Sequence, residues 1–241
     1  MHFRDQVPRK GSIQVRQRKN ASQKKESLAN SNRVLGGRMT LQLYHCERAR
    51  SMRPLWTLEE MGLDYELITL PFPPRYLAKE YLEVNPLGTV PCLVDGDVVM
   101  TESAGISQYL VDSYGPTDLA VSREEPDYGA YLNWLHRSDA TLTFPQTLVL
   151  RYTQLEPEEK RNPQVANDYR KWFLGRLRCV DEAVAEREYL CAQRFTIADI
   201  CIVYALVLAK SLDIEEAFTP NIQTYWDRIA ERDAFQRAYA K

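Results

Sequence analysis

Strand patterns in this sequence stop near residue 100, and only helical patterns follow Pro126. Before that switch, Thr40–His45 and Tyr65–Leu70 carry the β-branched and aromatic residues of strands, and Ser51–Met61 between them has apolar residues at helical spacing. A strand, a helix and a second strand form a βαβ unit, in which the two strands pair in parallel. The order of patterns therefore predicts an α/β domain followed by an all-helical domain.

The predicted α/β domain continues with a short helix around Tyr76–Val84, a hairpin and a last helix. The hairpin, Val90–Met100, has two apolar runs around Asp95-Gly96, a pair suited to the positive φ angles of a two-residue turn. Ser103–Tyr114 then reads as a helix that Gly115-Pro116 ends. This order predicts a small mixed sheet with helices on both faces.

The rest of the chain consists of helical segments separated by prolines. Helices are predicted over Asp127–Tyr152, Val165–Glu188, Thr196–Leu212 and Asn221–Ala240. Bends or breaks are expected at Pro145, Pro157, Pro163 and Pro220. The patterns together place an α/β domain at 39–115, a linker at 116–125 and an all-α domain at 126–241.

Residues 1–38 have a composition unlike the rest of the chain. They carry ten Lys or Arg against two Asp or Glu and few apolar residues, so we expect a disordered basic extension outside the fold. The favoured interpretation of residues 1–38 is sequence that lies upstream of the true start at Met39. The alternatives are a targeting peptide and a natural tail that binds nucleic acid or another anionic surface.

The composition of residues 39–241 excludes several classes of partner. Acidic residues outnumber basic ones by 31 to 21 there, which disfavours nucleic-acid binding. No apolar run approaches the roughly 20 residues of a membrane span. The five cysteines form no C-x-x-C pair and no metal spacing with the three histidines. Reduced thiols in the cytoplasm, and no metal, are therefore expected.

Three strings in the sequence resemble the soluble glutathione transferase superfamily. They are NPLGTVPCL from Asn85 to Leu93 with Asp95-Gly96 after it, TESAGI from Thr101 to Ile106, and TIAD from Thr196 to Asp199. The resemblance covers about residues 40–241. It implies a thioredoxin-like N-terminal domain, an all-helical C-terminal domain, a homodimer, and glutathione as the co-substrate.

The resemblance also implies where glutathione binds. In the family, a cis-proline precedes the strand, here Val90-Pro91, and an acidic-serine pair begins the next helix, here Glu102-Ser103. An unpaired Val90 peptide could bond an extended peptide ligand, and a helix start attracts a carboxylate. From the residues alone, a trans proline at a strand start and a Ser103 that only caps the helix stay possible. Thr196 and Asp199 are expected to form a structural capping box.

The loop before the first helix departs from the family pattern. Where other members keep a serine or a cysteine to activate the glutathione thiol, this chain has Arg48 and Arg50. Ser51 is the nearest hydroxyl, within an Arg-Ser-x-Arg string similar to a bacterial and fungal subgroup, and is predicted as the catalytic residue or as a helix N-cap. Arg48, Arg50 or Arg53 could instead stabilise the thiolate, bind the glycyl carboxylate, or be solvated surface charges. Cys46 is a candidate for mixed-disulfide chemistry.

These expectations combine into a cytoplasmic glutathione transferase, in which the glutathione thiolate attacks a small hydrophobic electrophile. Two alternatives stay open at this point. One is a glutathione-dependent reductase, peroxidase or ether-cleaving enzyme on the same fold. The other is a non-catalytic binding or scaffold protein, which the departures at Arg48 and Arg50 keep possible.

Overall fold

The computed structural model describes residues 34–35 and 38–241. Val34–Leu35 (β1) and Arg38–Met39 (β2) form a short antiparallel pair, with Val34 opposite Met39. A small part of the extension expected to be disordered is therefore strand. The expected disorder of residues 1–33 and 36–37 lies outside the described residues. The same holds for the three hypotheses about this segment: an upstream artefact, a targeting peptide and a basic tail.

The main sheet contains four strands, and their order across the sheet is Tyr65–Thr69 (β4), Leu41–His45 (β3), Cys92–Asp95 (β5) and Val98–Met100 (β6). β3 and β4 are parallel. β5 runs antiparallel to β3, and β6 runs antiparallel to β5. The structure thus confirms both the predicted βαβ unit and the predicted hairpin, and it places β3 and β5 at the centre of the sheet.

Helices connect and cover these strands. α1 (Met52–Met61) crosses from β3 to β4 and ends at Gly62, whose φ of 61° is the left-handed conformation that glycine adopts easily. The single short helix predicted next is two pieces, α2 (Pro74–Leu77) and a 3₁₀ turn (Lys79–Glu83). α3 (Ser103–Tyr114) follows β6. The result is the small mixed sheet that the sequence pattern predicts, in the thioredoxin-like arrangement that the family resemblance implies.

After α3 the described chain contains helices and loops. The helices are α4 (Tyr128–Arg137), a π-helical segment Ser138–Thr143, α5 (Phe144–Leu150), a second π-helical segment Arg151–Leu155, α6 (Pro163–Val184), α7 (Ile197–Ser211), α8 (Pro220–Ala230) and α9 (Asp233–Tyr239). Two 3₁₀ turns lie at Glu158–Lys160 and Glu215–Ala217. The last predicted helix is therefore two helices. In the described part of the chain, none of the helices combines the length and apolar character needed to cross a membrane.

The prolines of this domain act differently from one another. Pro145, where a bend or break is expected, lies in the first turn of α5, directly after a π-helical segment. The wider π turn shifts the hydrogen-bond register, which accommodates a residue without an N–H. Pro163 and Pro220 instead begin α6 and α8, where the missing N–H costs nothing.

One hydrophobic core runs through both parts of the chain. Trp56 of α1 is 1% exposed, and its ring packs against Phe195 and Phe235 at centroid distances of 5.6 and 4.9 Å. Arg232, between α8 and α9, pairs with Glu60 of α1 at 2.7 Å. α1 is therefore fixed by the helical part as well as by the sheet. The boundaries 115/116 and 125/126 stay predictions.

Candidate active site

A cavity of about 520 Å³ lies between the α/β part and the helical part. One wall comes from the loop Glu47–Arg50 before α1 and from Thr89 and Val90 before β5, and the facing wall from Thr147 of α5 and Tyr204 of α7. Its other lining side chains include Phe72, Arg75, Tyr76, Leu150, Leu155 and Leu208. A volume of this size, lined by apolar groups with a few polar ones, suits a small molecule.

Val90 lies in the cavity wall, outside the paired part of the sheet. The Val90–Pro91 peptide bond is cis, as predicted. Pairing of β5 with β3 begins only at Cys92, opposite Tyr44. The backbone of Val90 is thus placed where an extended peptide could bond to it.

The turn that leads into Val90 is held by a buried asparagine. The Asn85 side chain donates to the Thr89 carbonyl at 2.8 Å and accepts the Leu87 N–H at 3.1 Å. Gly88 in this turn has a φ of 60°, and a Cβ there would lie 2.8 Å from the Leu82 side chain. Only glycine fits at position 88, which explains why the Asn-Pro-Leu-Gly string ends in glycine.

Ser103 lies at the start of α3, but its hydroxyl points into the protein. Ser103 is 2% exposed; its Oγ accepts from the Arg53 guanidinium at 2.9 Å and donates to Asp139 at 3.4 Å. The N-cap position is Glu102, whose exposed side chain makes no capping bond, so the alternative that Ser103 caps the helix is wrong. As at every helix start, the first N–H groups of α3 have no acceptor within the helix.

A fully buried arginine links this helix start to the helical domain. Arg53 is 1% exposed and pairs with Asp139 at 2.9 Å. Its guanidinium also donates to the carbonyls of Cys201 and Ser138 at 3.0 and 3.1 Å, and to the Thr143 hydroxyl at 2.8 Å. These bonds occupy its donors, so the suggestion that Arg53 stabilises a thiolate or binds a carboxylate of the ligand is wrong. Arg53 is structural.

Asp139 also holds the second arginine of the loop. Arg50 Nε lies 3.1 Å from Asp139, and Arg50 Nη2 donates to Thr147 at 2.9 Å. Burial would raise the pKa of Asp139, but Arg53 and Arg50 outweigh it and hold that pKa below its usual value. Asp139 is therefore ionised at neutral pH and balances part of the charge that the two arginines bring.

Ser51 does not reach the cavity. It is 0% exposed; its Oγ accepts the Cys46 N–H at 3.2 Å and lies 2.9 Å from His45 Nδ1. Ser51 is the N-cap residue of α1, as predicted, but its side chain makes no capping bond. Burial lowers the pKa of His45 to about 4 and raises the pKa of Cys46 to about 11. Cys46, also 0% exposed, is thus neither ionised nor accessible for the mixed-disulfide chemistry considered for it.

The structure therefore divides the predicted site residues into two groups. Arg48, Arg50 and Val90 line the cavity, whereas Ser51, Pro91, Glu102 and Ser103 are not part of its wall. The side chain of Arg48 is 60% exposed and its nearest carboxylate is that of Glu47, at 3.5 Å. Ser103 stays close to the cavity through the chain of contacts that runs from it to Asp139 and from there to Arg50.

Sequence reasoning missed three residues of the site. Asp139 lies in an unremarkable helical pattern, and Tyr204 lies in an apolar run that reads as core. Arg75 lines the cavity and donates to the Leu87 carbonyl at 2.7 Å. The partners of all three are brought close by folding, and no local spacing marks them. Among the described residues, no group of three or more His, Cys, Asp or Glu side chains is placed to hold a metal ion.

Comparison with known proteins gives the family. The glutathione S-transferase N-terminal domain family matches residues 49–113, and the glutathione S-transferase C-terminal domain family matches residues 141–233. Glutathione S-transferase 3 of Schizosaccharomyces pombe is 26% identical over 83% of this chain and 86% of its own. Glutathione S-transferase GstA of Escherichia coli O157:H7 is 29% identical over 82% of this chain and 96% of its own.

A solved structure agrees with these matches. The glutathione transferase URE2P6 from Phanerochaete chrysosporium, in complex with oxidized glutathione, superimposes with a TM-score of 0.73 at 27% identity, covering 85% of this chain and 96% of its own. With a thioredoxin-like domain followed by an all-helical one, this chain belongs to the glutathione transferase superfamily.

Proposed function

We propose that this protein is a glutathione transferase that conjugates the thiolate of glutathione to small apolar electrophiles. The observation that carries the proposal is the cavity, which is lined both by Val90, whose backbone is free for a peptide ligand, and by apolar side chains of the helical domain. The complex of URE2P6 with oxidized glutathione supports glutathione as the ligand. Holding thiolate and electrophile side by side in one cavity would supply most of the rate gain.

Glutathione has three parts that this site can bind. Its cysteinyl part pairs with the Val90 backbone as an added strand. Its γ-glutamyl carboxylate lies at the start of α3, near the backbone N–H of Ser103, with Glu102 toward the amino group. Its glycyl carboxylate turns to a cavity arginine, Arg48 or Arg50. Arg48 is the stronger candidate, because Asp139 already balances Arg50.

The activation of sulfur is assigned to the start of α1. Ser51, the predicted catalytic residue, has a fully buried hydroxyl whose partners are internal, so a ligand in the cavity does not contact it in this conformation. The peptide between Ala49 and Arg50 is a better candidate. Its carbonyl accepts the Met52 N–H at 2.9 Å, while its own N–H has no acceptor among the described residues. A free N–H at a helix start stabilises a thiolate.

Retention on immobilised glutathione, followed by turnover of a chlorinated aromatic electrophile, tests the proposal. Both are expected of the full chain. Val90→Pro removes the N–H that would bond the peptide ligand, and it should abolish retention. Val99→Pro, at an exposed position of β6, is the matched control for a proline on the same hairpin. Failure of the wild-type chain to bind glutathione would overturn the proposal.

The alternative functions give different outcomes in the same experiment. Retention with turnover of peroxides or mixed disulfides, and none of the aromatic electrophile, would identify a glutathione-dependent reductase or peroxidase. Retention without any turnover would identify a binding or scaffold protein. The burial of Cys46 disfavours a mechanism that uses this thiol, so in either enzyme the thiolate is that of glutathione.

Three further features belong to the proposal. The Arg-Ser-x-Arg string supports the bacterial-like subgroup. A homodimer follows from the resemblance, and the exposed apolar side chain of Leu77, which does not line the cavity, offers surface for it. All five cysteines are free thiols, which suits the reducing cytoplasm. Analytical ultracentrifugation at micromolar concentration should give twice the mass of the chain.

A further inference from the structure

Tyr204, contributed by the helical domain, bonds to the backbone of the loop that precedes α1. Its side chain lines the cavity, although the residue is 3% exposed, and its hydroxyl donates to the Arg48 carbonyl at 3.2 Å. The Arg53 guanidinium lies over its ring, 4.7 Å from the centroid, and this cation–π contact helps to fix the ring. Burial raises the pKa of Tyr204 to about 12, so the hydroxyl is a permanent donor at neutral pH.

The loop needs such support at Arg48. Arg48 has a φ of 55°, in the left-handed region that side-chain-bearing residues adopt only at a cost of about 1 kcal/mol or more. Such a conformation persists where surrounding contacts determine it. Two contacts hold the peptide between Arg48 and Ala49: its carbonyl accepts from Tyr204, and its N–H donates to the Cys46 carbonyl at 3.1 Å.

The next peptide along the chain, between Ala49 and Arg50, carries the N–H assigned above to the sulfur of glutathione. Because consecutive peptides share a Cα, fixing the first restricts the direction of the second. We propose that Tyr204 is a positioning residue, which directs the Arg50 N–H toward the cavity by holding the Arg48 carbonyl. This inference rests on the proposed function, since it concerns the group that stabilises the thiolate.

Tyr204→Phe tests the inference, because it removes the hydroxyl and keeps the ring. The ultraviolet absorbance of the thiolate, followed against pH, should show the pKa of bound glutathione raised by about one unit, and kcat/KM at neutral pH should fall about tenfold. The KM for glutathione should change much less, within about twofold, since the contacts at Val90 and at the start of α3 do not involve this loop. Tyr131→Phe, at a buried ring of the same domain that does not line the cavity, should change none of these.

A measurement on the ligand-free protein separates positioning from direct contact with sulfur. If Tyr204 acts through the loop, hydrogen exchange of the Ala49 amide should become faster in Tyr204→Phe before any glutathione is added. A raised thiol pKa with unchanged Ala49 exchange would overturn the inference in favour of direct contact. A folded Tyr204→Phe with an unchanged thiol pKa would overturn it altogether. Neither result touches the proposed function, which fails only if the wild-type protein does not bind and turn over glutathione.

Discussion

Among single residues, Ser51 has a hydroxyl that makes hydrogen bonds within the fold and does not reach the cavity. It is the hydroxyl nearest to the position where a thiol-activating group is expected, yet it joins the end of β3 to the start of α1 through Cys46 and His45. When a buried donor or acceptor loses its hydrogen-bond partner, the protein loses about 1–3 kcal/mol of stability, because that polar group is then buried without a bond.

We therefore expect Ser51→Ala to lower the free energy of unfolding by about 1–3 kcal/mol and to leave the pKa of bound glutathione unchanged. Urea denaturation measures the first and thiolate absorbance against pH measures the second. Ser122→Ala, at an exposed hydroxyl distant in the chain, is a control for the substitution itself. A raised thiol pKa with unaltered stability would restore Ser51 as the catalytic donor.

His45 should make stability depend on pH. Burial lowers its pKa from 6.5 to about 4, so the unfolded chain binds a proton at a higher pH than the folded protein does. The stability that the neutral imidazole contributes is complete above pH 6.5 and is lost as the pH falls toward 4.

Between pH 7 and pH 5 this loss amounts to about 2 kcal/mol. The measurement is the difference in unfolding free energy between wild type and His45→Gln at the two pH values. The wild type should lose more stability than the variant, which has no group titrating at this position. Equal losses in the two proteins would show that His45 titrates normally.

At the scale of elements, the Arg53–Asp139 pair fastens α1 to the π-helical segment after α4. Breaking a buried ion pair by removing one partner is expensive, because the other charge stays buried and unpaired. Asp139→Asn should accordingly lower the unfolding free energy by about 3–5 kcal/mol. Glu47→Gln, which removes an exposed carboxylate paired with Arg48, should change it by less than about 1 kcal/mol. If both variants are equally stable, solvent reaches the pair and the burial argument fails.

The start of α7 is a second element held by a buried carboxylate. Asp199 accepts the N–H groups of Thr196 and Leu190 at 2.9 and 3.0 Å and the Tyr225 hydroxyl at 2.8 Å, and it completes the predicted capping box. Asp199→Ala should cost stability, about 2 kcal/mol or more, without selective loss of turnover. Thermal unfolding and specific activity of the folded fraction measure the two effects. A stable variant that has lost turnover would contradict this structural role.

These elements also show what can be predicted from sequence. The capping box at Thr196 and the turn from Asn85 to Gly88 are local, because their donors and acceptors lie within a few residues, so spacing reveals them. The partners of Ser51 are also local, five and six residues back, but nothing in the sequence shows that its hydroxyl turns to them and away from a ligand. Arg53 takes its partners from α3, α7 and the π-helical segment, at least 50 residues away in the chain. Whether such a side chain faces a ligand or the core depends on tertiary contacts, which is why the domain order was predictable and the activating group was not.

At the scale of the whole molecule, the two domains are expected to unfold as one unit. The shared core places Trp56 of α1 against Phe195 and Phe235, and Arg53 takes acceptors from the helical domain. A fragment of residues 39–115 would expose that tryptophan and leave that guanidinium without several of its partners. The sheet of four short strands that remains buries too little apolar surface to offset this loss.

We therefore expect the 39–115 fragment to be largely unfolded at 25 °C, and the full chain to unfold in one transition. Amide dispersion in NMR spectra measures the first; tryptophan fluorescence and far-ultraviolet circular dichroism, giving coincident urea midpoints, measure the second. Trp56→Phe in the full chain, which keeps an aromatic ring in the shared core, should keep a single transition at a lower midpoint. A well-dispersed spectrum from the fragment would mean that α1 is held by the sheet alone. In that case the helical domain would complete the cavity without stabilising the α/β domain.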